Sequence, residues 1–299
     1  MKKIEGIVVP MVTPLTPEQQ LDFAGLERLV EYLIAGGCAA LFPLGTTGGG
    51  PFFSMEKQVA LNNAVCSLAG GRIPVITGIA MASPEDTIRL GHAAAEAGSA
   101  AVVVAPPCYL NLKDNELIEF YSVITSEVKL PVFVYNMPAM TKIYLKPEVV
   151  IRLAEIPGIV GYKDSSNDMN ALHEVLLELK NRDDFSIFMG PESLMAETVM
   201  LGGVGGVAAG ANLYPEIFVN CWKEMRNGNL QEMMYWQEKI DLLQKIYKVY
   251  PCFNAVATGV KTGLKLKGIC GNTMLSPLTQ PDPESEKKIA AIMAEVEKA

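Results

Sequence analysis

The residue with the most chemistry to offer is Lys163, in the segment Ile159-Val-Gly-Tyr-Lys-Asp-Ser-Ser. A lysine closing a buried apolar run is awkward, because an unpaired ammonium is costly to bury. One relief is loss of the proton, leaving a neutral amine. Such an amine is a nucleophile that condenses with a ketone to give an imine. Once protonated, the imine is an electron sink, and a carbanion at the neighbouring carbon becomes an enamine. A carbon–carbon bond next to a 2-oxo acid can then be made or broken without a metal. The competing reading of Lys163 is a salt bridge to Asp164 or Glu192. Asp164 follows directly, and neighbours on a strand point to opposite faces, which disfavours that pairing. Lys142, Lys261, Lys265 and Lys267 are further amines; the last three fall in a late helix, where a solvated face is the ordinary explanation.

Hydroxyl and carboxyl groups that could serve such an imine end other apolar runs. Tyr135 offers a phenol that acts as acid and base if its neighbours tune it, or it is a core aromatic at a strand end. Thr46 and Thr47 follow Gly45; they could stabilise an oxyanion or simply form a turn. Glu192, in Gly190-Pro-Glu-Ser, could accept from two substrate hydroxyls at once or face solvent in a loop. Met137, Met140 and Met189 could line the acceptor side of a site, although methionine is more often core filler.

The elements that would position these groups show as a repeated alternation. Eight short apolar runs, Gly6–Val12, Ala40–Gly45, Pro74–Ile79, Ala100–Ala105, Val132–Met137, Ile159–Asp164, Ser186–Gly190 and Val204–Ala209, are each followed by a helical stretch. The runs lack polar alternation, as strands buried on both faces do. Their spacing suits strand–loop–helix–loop units. Leu26 to Leu33 has helical spacing and ends near Gly36-Gly37, and Ser83-Pro-Glu-Asp supplies an N-cap, a proline at the first position and first-turn acids. Lys146-Pro-Glu opens another helix in the same style. The pattern predicts an α/β fold, a (β/α)8 TIM barrel over residues 1–225. A C-terminal helical extension packed on it, residues 226–299, would contain helices at Asn229–Tyr250, Phe253–Leu266 and Glu284–Lys298. In such barrels the chemistry sits at the carboxyl ends of the strands, where Thr46, Thr47, Tyr109, Tyr135, Lys163 and Glu192 all fall.

Composition narrows the classes. The chain has 299 residues, 49% of them hydrophobic, enough for a large core. A formal net charge of −8 argues against nucleic acid as a partner and against an anionic membrane surface. No stretch reaches the roughly 18 apolar residues that a membrane span needs, and the N-terminal run, broken by Pro10 and Pro14, is poor material for a signal peptide. The six cysteines, at 38, 66, 108, 221, 252 and 270, form no CxxC pair, and His92 and His173 are the two histidines. No metal or other cofactor is expected from that spacing, and free buried thiols point to a reducing cytoplasm. A dinucleotide or phosphate binder, prompted by Gly202-Gly-Val-Gly-Gly and Gly45-Thr-Thr-Gly-Gly-Gly, fails on spacing: neither is GxGxxG nor ends in GK[ST].

Four segments together carry a resemblance. Gly6-Ile-Val-Val-Pro-Met-Val-Thr-Pro-Leu, Gly45-Thr-Thr-Gly, Tyr135-Asn-Met-Pro and Gly161-Tyr-Lys-Asp-Ser-Ser resemble the signature segments of the N-acetylneuraminate lyase and dihydrodipicolinate synthase family of class I aldolases. The resemblance implies that Lys163 forms the imine with pyruvate and that Tyr135 shuttles the proton. It further implies that Thr46 and Thr47 hold the pyruvate carboxylate. Tyr109, in Pro106-Pro-Cys-Tyr-Leu, is similar to the tyrosine that neighbouring subunits exchange in the synthases, which implies a homodimer or homotetramer. Where the synthases carry an arginine for the second, carboxylate-bearing substrate, this chain has Met140, and a thioether cannot replace a bidentate guanidinium. Gly49 stands where many relatives have Glu. The Pro-Ala-Met-Thr ending resembles the sialate lyases and 2-keto-3-deoxy sugar acid aldolases, and Gly48-Gly-Gly-Pro and Val207-Ala-Ala-Gly-Ala-Asn look closer to the sugar acid aldolases. By that likeness Glu192 and Ala208 join the substrate-binding set. The expected reaction is retro-aldol cleavage of a hydroxylated 2-oxo acid to pyruvate and an aldehyde. Dehydration or dihydrodipicolinate-type condensation through the same imine is the alternative, and a non-catalytic 2-oxo acid sensor is the reading from another class.

Overall fold

The computed structural model describes residues 3–252 and 254–299. Eight strands are present: β1 (Gly6–Pro10), β2 (Ala40–Phe42), β3 (Ile76–Gly78), β4 (Ala101–Val104), β5 (Val132–Asn136), β6 (Ile159–Asp164), β7 (Ser186–Met189) and β8 (Gly205–Val207). All pair in parallel, in the order β2-β1-β8-β7-β6-β5-β4-β3. The ring closes where Leu41 bridges Val75 and the Gly78 N–H donates to the Pro43 carbonyl at 3.0 Å. The expected TIM barrel is the observed fold. Each strand is shorter than its apolar run or equal to it, because the run continues into the buried turns that cap the barrel.

Helices α1 (Phe23–Ala35), α2 (Met55–Ala69), α3 (Pro84–Glu96), α4 (Asp114–Glu127), α5 (Pro138–Thr141), α6 (Pro147–Ala154), α7 (Met169–Glu178), α8 (Met195–Met200) and α9 (Pro215–Asn227) follow the strands. Their starts obey local chemistry. The Ser83 hydroxyl caps α3 by accepting from the Asp86 N–H, with Pro84 at the first helical position, and Asp168 caps α7 through the Ala171 N–H.

Two apolar layers result. One fills the barrel with Val8, Phe42, Ile76, Val103, Phe133, Tyr135, Phe188 and Val207. The other lies between strands and helices, and runs on without a break into α10 (Leu230–Leu243), α11 (Ala255–Leu266) and α12 (Pro283–Lys298) through Ile240, Leu264 and Ile289. The long helix expected to reach Tyr250 stops at Leu243 and tightens into a 3-10 segment, Gln244–Lys248. Of the helix expected from Phe253, that residue lies outside the described ones and α11 begins at Ala255.

Candidate active site

Strand alternation decides which way the reactive groups point. On β6, Tyr162 belongs to the outer layer and Lys163 to the inner one, so Asp164 faces outward again. Asp164 confirms its direction by its bonds. It accepts from the Tyr162 hydroxyl and from Asn136 Nδ2 at 3.2 Å through one oxygen, and from the Ser166 N–H and hydroxyl, both at 2.7 Å, through the other. Asn136 in turn accepts from the Leu145 N–H at 3.1 Å. This outward network locks the ends of β5 and β6 together and leaves Asp164 with nothing to offer Lys163.

Inside the barrel, register brings the expected pair together. Tyr135, Lys163 and Phe188 are cross-strand partners on β5, β6 and β7. Lys163 is 6% exposed, and its Nζ lies 3.9 Å from the centroid of the Tyr135 ring and 5.2 Å from that of Phe42. The aromatic faces supply electrostatic compensation that an apolar wall would not. The Tyr135 hydroxyl lies 3.5 Å from Thr46 Oγ1. Burial pushes the pKa of the Tyr135 phenol up, but the Lys163 charge and hydrogen bonds with Thr46, Ser165 and Lys163 outweigh it. The phenol therefore titrates below its ordinary value. Ser165, directly after the Lys163–Asp164 pair, is a contributor that the sequence reading did not single out.

Thr46 owes its place to a turn under tight steric constraint. Leu44, two residues past β2, has φ +62°, and Gly49 has φ +71°, a region open to glycine at little cost. A Cβ on Gly50 would lie 2.1 Å from the Leu44 carbonyl oxygen. The Thr13 hydroxyl donates to the Gly48 carbonyl at 2.8 Å, tying the turn to the segment after β1. Gly50→Ala is therefore expected to displace the turn. It should destabilise the fold by roughly 2–4 kcal/mol, read by denaturant unfolding, and should weaken 2-oxo acid binding more than a remote substitution of equal cost.

The remaining expected site residues have surroundings of their own. Glu192 is not a solvent-facing loop acid: it is buried, accepts from the Gly210 N–H at 2.7 Å, and takes the Tyr247 hydroxyl at 3.0 Å from each carboxylate oxygen. Burial pushes its carboxyl up to about 7, against the lowering effect of those bonds. Tyr247, from the 3-10 segment after α10, gave no sequence signal beyond being a tyrosine in a helical run. Ala208 is buried after β8 and its N–H donates to the Val8 carbonyl, so its own carbonyl is what it can present. Tyr109, at φ +86°, is 97% exposed in the single chain and is not brought to Tyr135 there. One expectation needs correction. Lys261 is not on a solvated helix face but 3% exposed, because α11 is packed on both sides.

The raised Glu192 carboxyl has a consequence for stability. A group that holds its proton more tightly when folded stabilises most below its unfolded value near 4.5. That contribution falls as pH rises towards about 7 and is level above it. Glu192→Gln keeps an acceptor for Gly210 and removes the titration. Above pH 7 it should be more stable than the parent by an amount on the order of 3 kcal/mol at most, with the difference vanishing near pH 4. Thermal unfolding across that pH range reads it, and parallel curves would contradict the assignment.

Among the described residues no group of three or more His, Cys, Asp or Glu side chains could hold a metal ion, and no helix is long and apolar enough to cross a membrane. A profile of the Dihydrodipicolinate synthetase family matches residues 3–296. The chain belongs to that family. A 4-hydroxy-tetrahydrodipicolinate synthase of Hyphomonas neptunium is 33% identical over 97% of each chain. A probable 2-dehydro-3-deoxy-D-pentonate aldolase of Escherichia coli K12 is 30% identical over 98% of this chain and 97% of its own. Among solved structures, a dihydrodipicolinate synthase from Bacteroides thetaiotaomicron superimposes with a TM-score of 0.94 at 39% identity, covering 98% of both chains. A prophage protein of the same family from Escherichia coli K12, solved in complex with pyruvate, gives 0.94 at 26% identity over 99% of both. As a member of the dihydrodipicolinate synthetase family, this chain is a class I lyase, a pyruvate-dependent aldolase or synthase acting on a small 2-oxo acid.

Proposed function

We propose that the enzyme cleaves a hydroxylated 2-oxo acid, of the 2-keto-3-deoxy sugar acid or N-acetylneuraminate type, to pyruvate and an aldehyde. The observation that carries the reading is the inward pair of Lys163 and Tyr135, with Thr46 on the phenol. The Lys163 amine attacks the 2-oxo carbon, and loss of water gives the protonated imine. The hydroxyl on C4 gives its proton to Tyr135 as the C3–C4 bond breaks, and that electron pair enters the imine as an enamine. Protonation at C3 and hydrolysis then return pyruvate and the free lysine. Thr46 and Thr47 hold the substrate carboxylate with hydroxyl and N–H groups of the fixed turn, while the Ala208 carbonyl, and Glu192 on exchanging its Tyr247 bond for the substrate, meet hydroxyls of the acceptor half.

The choice of cleavage over dihydrodipicolinate-type condensation rests on Met140, which puts a thioether in α5 where the synthases use an arginine. The exposed Tyr109, next to the exposed Leu110, supports a homodimer or dimer of dimers in which that tyrosine enters a neighbour's site. The six free cysteines support a cytoplasmic setting.

Product analysis on a panel of 2-keto-3-deoxy sugar acids and sialic acid tests the reaction. Free pyruvate plus an aldehyde is the expected result. A dehydrated product with every carbon retained would replace cleavage by dehydration. Consumption of pyruvate only with a carboxylate-bearing aldehyde would restore the synthase reading.

A further inference from the structure

Lys261 is a buried cation that the proposed chemistry leaves unused. Its Nζ donates to the Thr273 carbonyl, and no carboxylate pairs with it among the described residues. Burial lowers its ammonium to about 8, partly offset by the Cys270 thiol, which is itself buried. An uncompensated internal charge is costly to the fold.

The place of this charge gives it a use. Lys261 lines a small cleft together with Thr47, Gly48 and Gly49, and Thr13 and Met274 line the same cleft. Thr46 faces the Tyr135 hydroxyl while Thr47, one residue on, faces this cleft. The constrained turn of Leu44 to Gly50 thus touches the Tyr135 hydroxyl through Thr46 and shares a cleft with a buried cation through Thr47 to Gly49.

We infer that Lys261 is a positioning residue for 2-oxo acid binding: its charge acts through the Thr47–Gly49 turn and is complemented by the carboxylate that the turn holds. This rests on the reading that Lys163 forms an imine with pyruvate. The turn supplies geometry and neutral donors, and Lys261 supplies the counter-charge without touching the reacting atoms. The fold accepts a buried ammonium because the charge is balanced whenever substrate is bound. A unit charge acting over roughly 10 Å at an effective dielectric near 20 is worth about tenfold in affinity.

The test compares pyruvate with pyruvamide, which keeps the ketone and lacks the charge. Imine formation on Lys163 is measured by borohydride trapping in the parent, Lys261→Met and Lys261→Arg. Lys261→Met is expected to raise the half-saturating pyruvate concentration about tenfold and to leave pyruvamide trapping unchanged. Its maximal trapping at saturating pyruvate should equal that of the parent. Lys261→Arg, which keeps the charge, should restore most of the pyruvate affinity. Equal losses for both ketones in Lys261→Met would overturn the inference in favour of a purely structural role. So would unchanged pyruvate affinity. If Lys261→Met does not fold, Lys261→Arg carries the same ratio: a pyruvate preference over pyruvamide equal to the parent's supports the inference, and a lost preference overturns it. Absence of any trapping in the parent would instead remove the imine reading, and this inference with it.

Discussion

Lys163→Ala should lower kcat/KM for cleavage of the 2-oxo acid by about four orders of magnitude or more, leaving a protein that folds normally. The other amines singled out in the sequence are engaged elsewhere. Lys142 donates to the Ala139 carbonyl on the surface, Lys265 is paired with Glu286, and Lys267 lies over the Tyr214 ring. Lys261 is confined to the cleft behind the Thr47–Gly49 turn. Removing the Lys163 side chain also orphans no carboxylate, since Asp164 is satisfied by Tyr162, Asn136 and Ser166. The melting temperature should therefore stay within a few degrees of the parent's, as packing against Phe42 and Tyr135 and one hydrogen bond to the Tyr135 phenol are what is lost. Lys163→Arg separates nucleophile from charge: it keeps the cation beside Tyr135 but cannot condense, and should be as inactive as the alanine variant. Retained turnover in either variant, measured by coupled pyruvate assay, would contradict the account.

Tyr135→Phe is expected to lower kcat by about 10²–10⁴, the usual worth of a positioned acid–base group. The phenyl ring would still stack beneath the Lys163 amine, so substrate affinity should change little. The loss therefore falls on kcat and not on KM. The pH profile adds a second reading. The Tyr135 phenol is held below its ordinary value by the Lys163 charge, so the parent's rate should climb with pH through that lowered value as phenolate becomes available. The phenylalanine variant should lose this limb. A kcat within threefold of the parent's would make Tyr135 a wall of the pocket and not its acid–base group.

Much of this was legible in the residues themselves. The eight apolar runs without polar alternation foretold eight strands buried on both faces, and the simple rule that neighbours on a strand face opposite ways separated Lys163 from Asp164. What stayed hidden depended on contacts between distant segments. Nothing local tells that Glu192 would be sealed by Tyr247, 55 residues on, or that the amphipathic spacing of α11 would turn Lys261 inward. Helical periodicity identifies one apolar face, and α11 is covered on more than one. The 3-10 tightening after Leu243 was likewise unmarked, having no glycine or proline to announce it. Tyr109 is a different case, since in one chain it is almost fully exposed, and the role proposed for it would need a second copy.

The most direct test of the central claim is borohydride reduction in the presence of pyruvate, followed by peptide mass mapping, on the parent and Lys163→Ala. The account predicts a single pyruvate adduct on the peptide carrying Lys163, absent from the variant. No adduct, or an adduct on another lysine that survives in Lys163→Ala, would contradict it.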